Sequence, residues 1–136
     1  MAWVLSAGTA CYRDDPAEAL RRLGRYKRLA PVDAYSVFLE SFYTHSYAAM
    51  EDWAAAAEVG TRLWRASPRF TANLKTLLAA LVALDRRDEA AAVLRDLMAA
   101  EPSFTVALHA RRAPMLRTRV FPTILDGLRR AGVPEG

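Results

Sequence analysis

Two histidines, one cysteine and a pair of adjacent aspartates are where chemistry would have to begin in this chain. His45 and His109 lie far apart in the sequence. Neither has the Glu-x-x-His spacing or the neighbouring cysteines from which metal sites are built. Acid–base and nucleophilic catalysis need groups that converge within hydrogen-bond reach, and no spacing around either imidazole supplies them, so both read as surface or groove residues. Cys11 is the single cysteine, which excludes a disulfide within one chain and a cysteine-built metal site. In the string TACYRDD it reads as a small, partly buried apolar filler. Asp14 and Asp15 stand directly before Pro-Ala-Glu and read as turn and helix-start residues. Gly8, Gly24, Gly60 and Gly127 are scattered and form no phosphate-cradling loop. The expectation is a protein with no catalytic residues, no metal and no cofactor.

The elements that would hold a binding site are easier to read. At 136 residues the chain has the length of one domain. It is rich in alanine, leucine and arginine, with six glycines, seven prolines and a quarter of its residues charged, a composition that favours an all-α protein. The formal net charge is +4, which raises nucleic acid as a partner. The excess gathers at the C-terminal end, where six arginines from Arg111 to Arg130 face Glu101, Asp126 and Glu135. Aromatics are not interleaved with them, so a solvated basic face is expected and nucleic-acid binding is disfavoured. No basic leader opens the chain and no apolar run approaches the ~18 residues of a membrane span. The expected setting is the reducing cytoplasm, with no membrane contact.

Prolines reveal an internal period. Pro68 and Pro102 are 34 residues apart, each preceded by a helical pattern and followed by one residue and a phenylalanine, in SPRF and EPSF. Before Pro102, Leu74, Leu77, Leu78 and Leu81 share one helical face, and Ala90, Leu94 and Leu97 share another. Between them LDRRDEA breaks the stripe. Asp85 falls where the chain leaves the first helix, in a place that tolerates left-handed geometry, and Asp88 and Glu89 put negative charge at the start of the second. The unit before Pro68 is built alike, with Phe38, Phe42, Tyr43 and Tyr47 on a first helix and Trp53, Ala56, Ala57 and Leu63 on a second. Gly60 falls mid-helix there, which predicts close approach of two helices. A third copy ends at Pro31, with Trp3 on its first helix, Pro16 early in its second, and a stripe of Leu20, Leu23 and Tyr26. The longer spacing from Pro31 to Pro68 implies an extended connection or an extra turn around APVDAYSVF.

These residues resemble the tetratricopeptide repeat. The first copy offers Trp3, Ala7, Ala10, Ala19, Leu23 and Pro31; the last offers Leu74, Leu77, Leu78, Leu81, Ala90, Leu94 and Pro102. The middle copy has Tyr43, Thr44, Tyr47, Ala56 and Pro68, with Glu40 and Gly60 where bulky residues are usual. The tail AAEPSFTVALHARRAP, ending in DGLRRAGVPEG, is similar to the C-terminus of the repeat regions in bacterial class III adenylate or guanylate cyclases and related multidomain regulators. The resemblance implies a right-handed α-α superhelix of three helix pairs (about 2–33, 34–70 and 71–104) with a C-terminal cap over 105–136. Val120, Phe121, Ile124, Leu125 and Leu128 would form the cap's apolar face, and Arg119, Asp126, Arg129 and Arg130 its polar face. Gly132 suits the residue after the last helix, and Pro134 prevents continuation.

By the same resemblance the chain would be a non-enzymatic protein-interaction module in a bacterial signalling or regulatory setting. A protein or peptide would lie in the concave groove, against Phe38, Ser41, His45, Lys75, Ala79 and Val82. The family's clamp for a chaperone's terminal carboxylate is disfavoured, because Val4 and Gly8 occupy its Lys and Asn positions. The alternative is self-association as a homodimer, or docking onto a linked cyclase-like domain, through an N-terminal edge where Trp3, Val4 and Leu5 would stand exposed.

Overall fold

A computed structural model describes residues 2–30, 36–113, 115 and 117–136, the side chains of residues 2–4 and 36 excepted. Among the described residues the chain is all-helical, with α1 (Ala2–Tyr12), α2 (Pro16–Leu29), α3 (Ser36–Ala49), α4 (Trp53–Ala66), α5 (Thr71–Ala83), α6 (Arg87–Ala100), α7 (Val106–Arg112) and α8 (Phe121–Ala131). None of these helices is long and apolar enough to cross a membrane. The extended connection or extra turn expected around APVDAYSVF falls largely on residues 31–35, outside the described residues.

The first six helices form three hairpins that turn in the same way. Asp14, Glu51 and Asp85 adopt left-handed backbone with φ of 64°, 57° and 56°. The next amide in each case donates to the carbonyl five residues back: Asp15 to Ala10 at 3.0 Å, Asp52 to Tyr47 at 2.9 Å and Arg86 to Leu81 at 2.9 Å. That bond satisfies a carbonyl the helix end would otherwise orphan. Aspartate tolerates this geometry better than most residues, whereas Glu51 adopts it at a cost of about 1 kcal/mol.

The other ends match as well. Ala30, Ser67 and Glu101 close α2, α4 and α6 with φ of −138°, −142° and −131°, and donate their amides to Tyr26, Leu63 and Leu97. Each precedes a proline in the sequence, and proline drives its predecessor out of helical geometry. Asp15 and Asp52 cap α2 and α4 by accepting the amides of Glu18 (3.1 Å) and Ala55 (3.2 Å). In α6, Asp88 and Glu89 supply negative charge to the first turn instead.

Burial divides the interior unequally. A small cluster of Ala7, Leu23, Tyr26, Leu39 and Phe42 joins α1, α2 and α3. A larger one is centred on α5, whose Leu74, Leu77, Leu78 and Leu81 are fully buried, and takes in Val93 and Leu97 of α6 and Phe121, Ile124 and Leu128 of α8. Gly60 lets α4 approach closely: a Cβ there would come within 3.0 Å of Leu77 and 3.2 Å of Thr44. Asn73 Nδ2 donates to the Gly60 carbonyl at 3.0 Å, tying α5 to α4 at that point.

The C-terminal segment does more than close the end of a stack. Val120, Phe121, Ile124 and Leu128 are buried and Arg119, Asp126, Arg129 and Arg130 exposed, so the two faces expected from the sequence are present. The helix they form packs mainly on α5 and only slightly on α6. At the contact, a Cβ on Gly127 would lie 3.1 Å from both Cα and Cβ of Ala79. Gly132 ends α8 in left-handed geometry with φ of 103°, a conformation glycine adopts without steric cost. The tail then returns to the start of α7, where Val106 donates to the Pro134 carbonyl (2.9 Å) and Ala107 to that of Glu135 (2.8 Å).

Candidate functional site

The face of α5 that carries Ala72, Lys75, Ala79 and Val82 is overlaid along its length by the C-terminal segment. Gly127 covers Ala79, and Val82 adjoins Arg130 and Ala131 in a shallow depression. Towards the N-terminus of α5 the two surfaces separate and enclose a cavity of about 280 Å³. Its walls come from five helices and a turn: Tyr12 of α1, His45 of α3, Ala72, Lys75 and Thr76 of α5, Glu101 and Phe104 of the turn after α6, His109 and Arg112 of α7, and Phe121 and Ile124 of α8.

The polar groups in these walls are bound to one another. His45 Nδ1 and Thr76 Oγ1 share a buried hydrogen bond of 2.8 Å. Burial pushes the His45 pKa down to about 4, helped by the charge His109 would carry, so the imidazole is neutral at physiological pH. His109 is likewise held at about 4, by burial first and then by Lys75, against an opposing effect of Glu101. Lys75 Nζ donates to Glu101 Oε1 at 3.1 Å and lies 4.6 Å from the centre of the Phe104 ring, a cation–π arrangement. Thr71 Oγ1 donates to the same carboxylate at 2.5 Å. Burial alone would raise the Glu101 pKa, but the hydrogen bonds from Thr71 and Lys75 and the ammonium charge outweigh it and hold the carboxyl below its ordinary range. Arg112 stands exposed at the rim, with no carboxylate partner among the described residues.

The expected groove residues take varied places. His45 and Lys75 meet in the cavity. Phe38 is 45% exposed and packs edge-to-face on Phe70, with ring centres 5.6 Å apart. Ser41 is buried and donates to the Phe38 carbonyl at 2.8 Å. Ala79 is buried beneath Gly127, and Val82 is half-buried. Of the N-terminal edge, Leu5 is 55% exposed; the side chains of Trp3 and Val4 lie outside the described residues.

Sequence reasoning passed over Tyr12, Glu101, Phe104, Phe121 and Arg112 as cavity residues, and treated the two histidines as unrelated. One signal was available. FTANLKT at 70–76 recurs as FTVALHA at 104–110, which puts His109 in register with Lys75. Following the period past Pro102 would have matched His109 to Lys75, and both line the cavity. Comparison with known proteins adds no further guide: no family model matches the chain, and no curated protein or solved structure is significantly similar to it.

Proposed function

We propose that the chain is a non-catalytic protein-interaction module, a tetratricopeptide-like right-handed superhelix of three helix pairs that binds a peptide or partner protein in a cytoplasmic, bacterial signalling or regulatory setting. The observation that carries this reading is the threefold recurrence of one hairpin, with left-handed turns at Asp14, Glu51 and Asp85 and matching ends at Ala30, Ser67 and Glu101. Repeated hairpins of this kind stack side by side and present a continuous binding face. The internal pairing of His45 with Thr76, and of Lys75 and Thr71 with Glu101, suits holding a ligand better than transforming one.

A partner does not displace α8 cheaply. Phe121, Ile124 and Leu128 are almost wholly buried, and each such side chain contributes about 1.5–3 kcal/mol. Phe38, 45% exposed and packed on Phe70, offers an accessible aromatic anchor of the kind that dominates binding energy. The test is selection of peptides from a display library, followed by affinity measurement on wild type and Phe38→Glu. Selected peptides should lose at least about tenfold in affinity on Phe38→Glu, as for loss of an interface anchor. Equal binding to both would place the partner elsewhere.

The exposure of Leu5 at 55% and Leu29 at 65% favours a second reading, self-association or docking to a linked catalytic domain through the N-terminal hairpin. Light scattering across concentration would show a dimer that Leu5→Glu dissolves. A monomer at every concentration would remove the self-association form of this reading.

A further inference from the structure

We propose that the cavity between α5 and the C-terminal segment is a binding site for a small free carboxylic acid with an apolar body, about ten heavy atoms in all, whose carboxylate meets Arg112. This goes beyond partner binding at Phe38 and stands whether or not that surface is used.

Size sets the first bound. The cavity of about 280 Å³ is close to the lower end of ordinary ligand pockets, roughly 300 Å³. It is also about twice the ~150 Å³ that admits benzene. A molecule of about ten heavy atoms falls between those limits. Shape sets the second. An extended peptide needs a trough open at both ends, but Gly127 packed on Ala79 closes the face of α5 beyond Thr76. A short compact molecule fits; a continuous chain does not.

Charge sets the third. Glu101 and Lys75 neutralise each other at 3.1 Å, and both imidazoles are uncharged near neutral pH. Arg112 is left as one uncompensated positive charge at the rim. Its guanidinium offers a paired set of donors matched to a carboxylate. The remaining walls, including Phe104, Met115, Phe121 and Ile124, are apolar and suit a hydrocarbon or aromatic body. A multiply charged anion would find no partner for its second charge, and a neutral hydrocarbon would leave the guanidinium unused.

The test is titration of the isotopically labelled chain, followed by amide NMR, with octanoate and 3-phenylpropionate as probes. Octanamide and 3-phenylpropionamide serve as uncharged molecules of the same shape. The acids should shift the amides of Thr76, His109 and Ala113 saturably, with a dissociation constant of roughly 0.01–1 mM, the range that ligands of this size reach. The amides should bind up to about fivefold more weakly, the most that an exposed charge pair yields. Arg112→Gln should abolish that preference without weakening the amides, and Arg112→Lys should keep part of it. Arg112 is exposed, so both variants are expected to fold, which circular dichroism checks. The proposal is overturned if neither acid gives saturable shifts at the cavity, if acids and amides bind alike, or if Arg112→Gln leaves the preference intact.

Discussion

FTANLKT and FTVALHA begin alike, 34 residues apart, and end differently. Phe70 and Phe104 close the same turn, each donating its amide to the carbonyl three residues back, at Ser67 (3.1 Å) and Glu101 (3.0 Å). From there α5 runs for thirteen residues and α7 for seven. The second turn of each helix holds the cause. Leu77 and Leu78, fully buried in α5, correspond in register to Arg111 and Arg112, and Ala80 corresponds to Pro114. A helix carrying two arginines where its partner carries two core leucines cannot bury that face. The residue before proline is also driven to extended geometry, as Ala113 is at φ −65° and ψ 136°. The interrupted copy leaves the face of α5 to be covered by α8, and Arg112 stands at the cavity rim for the same reason.

The threonines diverge too. Thr105 Oγ1 accepts the Leu108 amide at 3.1 Å and caps its own short helix. Thr71, its counterpart, donates its hydroxyl to Glu101 instead, while α5 starts without a side-chain cap. A long helix with a buried face draws its stability from packing. A seven-residue one depends more on its ends, and the Thr105 cap and the returning tail at Pro134 and Glu135 supply them.

The comparison breaks most sharply at one leucine taken from each helix. Leu78→Ala empties a fully buried site in α5 and should cost about 2–5 kcal/mol, including the cavity left behind. Leu108→Ala, half-buried in α7, should cost about 1 kcal/mol. Urea unfolding of the two variants measures both. Equal losses would mean that α7 is as much a part of the core as α5.

Acidification separates the two histidines. The folded pKa of His45, about 4, lies below the ordinary 6.5. The unfolded chain therefore binds more protons between those values, and stability is full above pH 6.5 and falls as pH drops towards 4. For His45 alone the loss between pH 7.5 and pH 5 should be about 2 kcal/mol. Tyr12, Lys75, Glu101, His109 and Arg112 line the same cavity. Glu101, with its pKa held below the usual value, adds a loss in the same direction at lower pH. Denaturant midpoints across pH should fall less steeply for His45→Gln, which keeps a hydrogen-bonding group near Thr76 without titrating. His109→Gln should change the slope less, since that ring is partly open to solvent. Parallel curves for wild type and His45→Gln would show that His45 is not buried uncharged.

Much of the helical framework was legible because it is local. Asp85 marked a left-handed exit, Pro68 and Pro102 marked helix ends, and Gly60 marked a close approach, each through the conformational limits of one residue type. The cavity was not legible, because it depends on where α8 folds. The stripe of Phe121, Ile124 and Leu128 announces a buried face without naming its partner, and the small residue that admits it to Ala79, Gly127, looks in sequence like any mid-helix glycine. His45 and His109 come together only once that placement is made.

The smallest effect tests what holds the C-terminal segment in place. Arg119 Nε donates to Asp14 Oδ2 at 2.5 Å and joins the segment before α8 to the first hairpin turn. It is the longest link in sequence among the side-chain hydrogen bonds of the described residues and invites the view that it anchors the tail. Its guanidinium side chain is 86% exposed. Such pairs yield less than about 1 kcal/mol once solvent screening and side-chain entropy are counted. Arg119→Ala should therefore shift the denaturation midpoint barely at all and leave the amide signals of Phe121 to Leu128 in place. A loss comparable to that of Leu78→Ala would mean that the tail is fastened by this one bridge, with the apolar face of α8 secondary. The buried Phe121, Ile124 and Leu128 argue the reverse: burial positions α8, and the ion pair forms because burial has already brought Arg119 beside Asp14.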